Sequence, residues 1–246
     1  MKITVVIPTF NSMKYIDQSL SSVLAQTYEN MEVIVYDNES TDGTYEYLEQ
    51  LNDGGFELRS IPNIYANSFL EAVLDVMGKS TSDYVTFISS DDYIHEGYVA
   101  ENVKLIEDHP KEGINLQSGL IWVDEKGKPQ NQRVHTYTSL EEFKEQCLHH
   151  CPVNSPTVFY HKSIWPLIME VREAHSKYSL PEIGVGDYDM WCGFADRGIP
   201  ILPFPGCLGY YYRWNPDQAT WKVKEHPVNY DSLIQNYWKK KWSSNE

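Results

Sequence analysis

The sequence predicts an α/β fold: one domain on a mostly parallel central sheet, helices on both faces, and a smaller mixed region in its second half. Three observations predict it. Short β-branched runs alternate with helically spaced apolar residues through roughly the first hundred positions. The runs are apolar on both faces, as strands buried inside a parallel sheet are. Polar clusters follow the strands directly, where open parallel sheets bind ligands.

The elements can be justified in order. Residues 3–8 are a β-rich run, and Asn11 offers a cap for a helix over residues 11–26, with Ile16, Leu20, Val23 and Leu24 at helical spacing. Residues 31–36 form a second strand and 44–51 a second helix; 56–61 is a third strand. Residues 67–77 read as a helix with Phe69, Leu70, Val73, Leu74 and Met77 on its apolar face, and 84–89 as a further buried strand. Alternation of this kind implies parallel strands with helical crossovers. The second half is less regular. Residues 114–124, the EKGK turn and the run from Pro129 resemble a hairpin; 139–151 and 187–196 are helical, 208–214 is a strand and 230–242 a last helix. There is no internal repeat and no low-complexity linker, so the reading is one domain over residues 1–246. A nucleotide-binding half covers about 1–112 and an acceptor half about 113–246.

Composition narrows the function. A net charge of −15 speaks against a general binder of polyanions such as nucleic acid. A phosphate-bearing substrate must then meet local positive charge, from a divalent cation or a helix N-terminus. No run of 18 apolar residues is present, and the opening MKITVVIPTFN is too short and strand-like for a signal peptide. The four cysteines suit reduced thiols. The expected location is therefore cytoplasmic, with any membrane contact peripheral, through KKKW in the last helix at the inner face. CLHHC at residues 147–151 puts Cys147 and Cys151 on one helical face, but no second Cys/His pair has zinc-site spacing.

Three polar clusters fall at strand ends: Pro8, Thr9, Phe10 and Asn11; Asp37, Asn38, Glu39, Ser40 and Asp42; and Ser89, Ser90, Asp91 and Asp92. In a parallel sheet they converge on one edge. Together with two later segments, these stretches resemble the family-2 glycosyltransferases. VVIPTFN (5–11) is similar to that family's first strand and turn, YDNESTDGT (36–44) to its second motif, and SDD (90–92) to its acidic metal motif. GDYDMWCGFADRG (186–198) is similar to its catalytic-base helix, more often opened by Glu-Asp. YRW (212–214) sits where many members carry an arginine. The resemblance runs from about residue 2 to 214.

The resemblance implies the GT-A fold with its Rossmann-like sheet, and inverting transfer of a sugar from a nucleotide-diphosphate donor to a hydroxyl acceptor. It puts the donor nucleotide on Pro8, Thr9, Asn11, Asp37, Asn67 and Asp91, with UDP the family's commonest nucleotide. Asp37, at the end of a buried strand, would accept from an N–H of a pyrimidine base, with Asp42 left to helix capping. Asp92 would ligate Mn2+ or Mg2+, which offsets charge on the departing diphosphate, and Asp91 would reach the ribose or a metal-bound water. Ser89 stands where many members have another acid. Asp187 would be the base, in preference to Asp189 or Glu182. Arg213 would face the diphosphate or take part in a structural ion pair, and Trp214 or Trp221 would cover the sugar. The acceptor would be a glycan, a lipid-linked glycan or another hydroxyl compound. A nucleotidyltransferase would need a glycine-rich loop after the first strand, which PTFN is not. The remaining alternative is a degenerate, non-catalytic binder of nucleotide-sugar or glycan.

Overall fold

The computed structural model describes residues 1–51, 54–60, 75–76, 78–109, 115–168, 170, 186–199, 201–216, 218, 225 and 227–244. The first half follows β1 (Ile3–Thr9), α1 (Ile16–Leu24), β2 (Met31–Asp37), α2 (Thr44–Gln50), β3 (Glu57–Ser60), β4 (Tyr84–Phe87), β5 (Tyr93–Ile94) and α3 (Tyr98–Asp108). The second continues with β6 (Asn115–Ser118), β7 (Leu120–Val123), β8 (Pro129–Arg133), α4 (Leu140–Cys147), β9 (Phe159–His161), α5 (Gly186–Asp196), β10 (Leu202–Phe204), β11 (Tyr210–Arg213) and α6 (Tyr230–Ser243). The expected helix over 67–77 falls almost wholly outside the described residues.

Seven strands make the central sheet in the order β10-β6-β9-β4-β1-β2-β3. β1 pairs in parallel with β2 on one side and β4 on the other, and β3 extends the parallel set beyond β2. Strands in that position must bury both faces, and their alternation divides the interior. Ile3, Val5 and Ile7 enter one core with Leu20, Tyr98 and Phe159. Val6 enters the other with Tyr36, Phe87, Trp191 and Trp238. The parallel strands and the first two helices of the first half are therefore observed among the described residues.

Several sequence expectations are corrected. α1 starts at Ile16 rather than near Asn11. Asn11 has φ 50°, outside helical geometry, and the carbonyl of Ser12 closes a turn onto the N–H groups of Tyr15 and Ile16. Leu24, assigned to the buried face, is exposed. The run 114–124 is two strands parted by Gly119, β6 in the central sheet and β7 in a second sheet of order β5-β11-β7-β8. The hairpin from β7 to β8 is present and antiparallel. α4 stops at Cys147, where the N–H groups of Leu148, His149 and His150 turn back on Glu145 and Gln146. Cys147 and Cys151 hence share no helical face. Among the described residues no group of three His, Cys, Asp or Glu is placed to hold a metal. β9 was not anticipated. It runs antiparallel between β4 and β6, and three residues are too few to show a period.

One glycine brings the second sheet close. Gly209 precedes β11, and a Cβ there would lie 2.6 Å from Tyr98 Cδ2 and 3.1 Å from Tyr98 Cβ. The Tyr98 ring is fully buried and its hydroxyl meets Ser118 Oγ at 3.0 Å, so it cannot retreat. Gly209→Ala is expected to lower unfolding free energy by about 1–3 kcal/mol. An unchanged urea midpoint would contradict this packing.

Candidate active site

At the carboxyl edge of the sheet, short hydrogen bonds tie the three polar loops together. Asn38 N–H donates to Thr9 O at 2.9 Å, extending the pairing of β1 and β2 by one step. Asn11 joins the first two loops from both ends. Its N–H donates to Ser40 Oγ at 2.9 Å, and its Oδ1 accepts from Thr41 N–H at 2.8 Å. The αL backbone at Asn11, which asparagine tolerates, aims the side chain there. The N-cap of α2 is Gly43 rather than Asp42; Asp42, just before it, accepts from Thr44 N–H at 3.0 Å and from Met13 N–H of the neighbouring loop at 3.0 Å. The third loop joins through hydroxyls: Ser12 Oγ meets Ser90 Oγ at 2.7 Å, and Ser19 donates to Ser89 O at 3.1 Å.

Asp37 ends β2 with no solvent exposure. Its Oδ2 accepts from Ser40 N–H at 3.0 Å, while Oδ1 is buried with no hydrogen-bond partner. Thr9 Oγ1 is likewise buried and unpaired. Leaving such atoms unsatisfied costs about 1–3 kcal/mol each, so they call for a ligand donor and acceptor. Pro8 is half-buried, and Phe10 stands 46% exposed at the same edge, open to stack on a base. Asn67 lies outside the described residues, as do Glu182 and Trp221.

The two aspartates after β4 part company. Asp92 is 1% exposed, and both its oxygens are already engaged. Tyr210 OH donates to Oδ2 at 2.7 Å, and Arg213 N–H donates to Oδ1 at 2.7 Å. Burial, then the adjacent Asp91 charge, push its carboxyl well above the usual range, against those two hydrogen bonds. The expectation of Asp92 as the metal ligand is not supported by this arrangement, in which both oxygens already accept hydrogen bonds within the protein. Asp92 is instead the pin between the acidic loop and β11. Asp91 is half-buried; its Oδ2 accepts from Asn215 at 2.7 Å, and among the described residues its Oδ1 has no partner on another residue. One open carboxylate oxygen fits a hard divalent cation that draws its other ligands from phosphate and water.

Arg213 is also corrected. It is 2% exposed and bonds carbonyl-type oxygens rather than facing a diphosphate. Nε donates to Asp91 O at 2.7 Å, Nη1 to Glu125 O at 2.8 Å and Nη2 to Gln18 Oε1 at 2.5 Å. The Tyr15 and Tyr93 rings flank it, their centroids 4.9 and 5.5 Å from the guanidinium carbon. Among the described residues no carboxylate side chain forms a salt bridge with it. Trp214, next in line, is 41% exposed.

Asp187 occupies the first turn of α5 and is exposed. Ser155 donates to its Oδ2 at 2.8 Å, and Ser155 Oγ in turn accepts from Trp191 Nε1 at 2.9 Å. The Tyr188 N–H donates to Oδ1 at 2.7 Å. Although water reaches it, the surrounding protein raises its carboxyl above the ordinary value, and the Ser155 bond opposes the rise. Asp189 is 4% exposed and accepts from Trp238 Nε1 of α6 at 2.6 Å, so it seats a helix rather than a substrate.

The model for glycosyl transferase family 2 matches residues 4–167. The chain belongs to that family. An uncharacterized glycosyltransferase of Haemophilus influenzae is 31% identical over 256 residues, covering 93% of this chain and 73% of that protein. Glycosyltransferase GlyA of Streptococcus pneumoniae is 28% identical over 57% of this chain and 21% of its own length. The chain thus spans most of the Haemophilus protein and about a fifth of GlyA. Among solved structures, S. aureus TarS 1-349 in complex with UDP-GlcNAc matches with a TM-score of 0.65 at 17% identity, over 97% of this chain and 71% of that one. The mannosyltransferase PcManGT of Pyrobaculum calidifontis, in complex with GDP-Man and Mn2+, matches with a TM-score of 0.57 at 15% identity, over 96% of this chain and 68% of that one. These likenesses establish the GT-A fold, and family membership makes the chain a glycosyltransferase.

Within this family-2 glycosyltransferase, sequence motifs located Thr9, Asn11, Asp37 and Asp91 on one edge. They missed Ser155, Tyr210 and Asn215, which hold Asp187, Asp92 and Asp91. Asn215 follows YRW directly and carried a positional hint; Ser155 and Tyr210 carried none.

Proposed function

We propose that the chain moves a sugar from a nucleotide-diphosphate donor, a UDP-sugar first among them, to a hydroxyl acceptor with inversion. The observation that carries this is the buried, unpaired Oδ1 of Asp37 at an edge that three loops knit together. It suits the imide N–H of a uracil, with Thr9 and Pro8 beside it and Phe10 for stacking. Asn11 serves the donor indirectly, by fixing both loops. The nucleotide-sugars named in the TarS and PcManGT complexes support the donor class, and the Mn2+ named in the second supports a divalent ion. Such an ion, when bound, offsets charge on the diphosphate, with Asp91 its protein ligand.

In the transfer itself, the acceptor oxygen forms its bond to the anomeric carbon as the bond from that carbon to the diphosphate oxygen breaks. The acceptor proton passes to the Asp187 carboxylate, and the nucleoside diphosphate departs. Asp187 starts in the proton-accepting form, oriented by Ser155. The half from residue 113 onward then holds the acceptor, a glycan or a lipid-linked or other hydroxyl compound.

Calorimetric titration with UDP, dTDP and GDP in Mn2+ tests the donor half of this reading. UDP is expected to bind most tightly, and Asp37→Ala to weaken it by at least about tenfold, the loss of one charge-assisted hydrogen bond. Equal binding of the three nucleotides by wild type, or full affinity in the variant, would sink the base-reading role. UDP binding without hydrolysis or transfer of any UDP-sugar would show a binder instead.

A further inference from the structure

Arg133, at the end of β8, stands apart from the other described arginines. Arg59 pairs with Glu57 and Asp75, Arg197 pairs with Glu170, and Arg213 is buried among carbonyl oxygens. Arg133 is half-buried and forms no salt bridge among the described residues, in a chain whose net charge is −15. Among the described residues its one side-chain hydrogen bond runs from Nη2 to Cys151 O at 3.2 Å, which leaves most of the guanidinium fork unused by them.

Two histidines accompany it. His135 and His150 stack with centroids 6.0 Å apart and an interplanar angle of 18°. His135 is only 9% exposed, yet its Nε2 has no hydrogen-bond partner. Asn154 leans toward it, but Asn154 Oδ1, also buried, completes no bond either. Burial, then the Arg133 charge and His150, push His135 down to about 4. Burial and Arg133 lower His150 as well. Both rings are therefore neutral near pH 7, and each offers an N–H without adding a buried charge.

The group adjoins the proposed base. Asn154 Nδ2 donates to Arg133 O at 3.2 Å, and the next residue, Ser155, donates to Asp187. The Cys151 thiol is within electrostatic reach of both: Asp187 raises it and Arg133 lowers it, beneath a larger effect of burial. A site beside a base, with a planar cationic fork and neutral ring N–H groups, matches a phosphate.

We propose that Arg133, His135 and His150 form an anion subsite on the acceptor side, which holds a phosphate group carried by the acceptor and so presents its hydroxyl to Asp187. The proposal rests on the transferase reading above. The phosphate belongs to a soluble polyol phosphate or to a lipid headgroup, which share this chemistry.

The test uses the whole chain loaded with UDP and Mn2+. Glycerol 3-phosphate and glycerol are titrated separately, following intrinsic tryptophan fluorescence. Glycerol 3-phosphate is expected to bind at least tenfold more tightly, and Arg133→Gln to erase the difference. His150→Gln, a milder change, is expected to reduce it, and gives a second reading should Arg133→Gln fold poorly. In a second arm, vesicles of phosphatidylcholine with or without phosphatidylglycerol are sedimented with the protein. Arg133-dependent pelleting with phosphatidylglycerol alone assigns the phosphate to a lipid; binding of glycerol 3-phosphate without pelleting assigns it to a soluble acceptor. Equal affinity for glycerol and glycerol 3-phosphate without pelleting, or a phosphate preference that survives both substitutions, overturns the subsite. If UDP still binds in that case, only the subsite has failed. If wild-type protein does not bind UDP, the donor reading beneath it has failed.

Discussion

Asp187→Asn is expected to leave UDP binding within about twofold of wild type while lowering the transfer rate by about 10²–10⁴-fold, the usual contribution of a positioned general base. The amide keeps the shape: its oxygen can still accept from the Tyr188 N–H, while its NH2 takes the other oxygen's place and Ser155 Oγ turns to accept from it. What it loses is the ability to take a proton. The pH profile gives an independent check. The Asp187 carboxyl titrates above the ordinary aspartic value because protein crowds it. A base works only when deprotonated, so the transfer rate falls as pH drops through that raised pKa. The acid limb thus lies at higher pH than an unperturbed aspartate would place it, and it vanishes in the variant. Wild-type transfer by Asp187→Asn, or an unaltered acid limb, would remove Asp187 from the chemistry.

The second large effect separates two neighbours. Asp92→Ala is expected to destabilise the fold by about 2–5 kcal/mol, because it strands the buried Tyr210 hydroxyl and Arg213 N–H without an acceptor. Asp91→Ala is expected to leave the urea midpoint nearly unchanged, since its carboxylate is half-exposed and loses only Asn215. It should instead abolish the enhancement of UDP binding by Mn2+. Reversal of the two phenotypes would return the ion to Asp92. Ser89 supplies no carboxylate, so in this reading Asp91 alone among the described residues would carry the protein's share of an ion site.

The contrast marks how far sequence could reach. The parallel sheet was legible because β1, β2 and β4 are apolar runs with turn chemistry at their ends, and such strands have few alternatives. Convergence of three polar loops followed from topology alone. The roles within SDD did not, since two identical neighbours differ only in which way their side chains point. That direction is set by β5, two residues long, and by β11 more than a hundred positions later. Arg213 looked like a ligand for phosphate because arginine is suited to it. Its partners, the carbonyls of Asp91 and Glu125 and the amide of Gln18, leave no mark in composition or period. β9 was invisible for a related reason: a three-residue strand inside a sheet is specified by its neighbours.

The link from Trp238 to Asp189 bears on the order in which a growing chain gains its parts. Residues 3 to 44, which include Thr9, Asn11 and Asp37, bond to one another and to the strand and loop at 80–99, all of which precede α5 in the chain. The helix that presents Asp187 receives its indole anchor only when α6 has left the ribosome. In the proposed reading, the segments that would hold a nucleotide are therefore made before the helix that carries Asp187 is anchored.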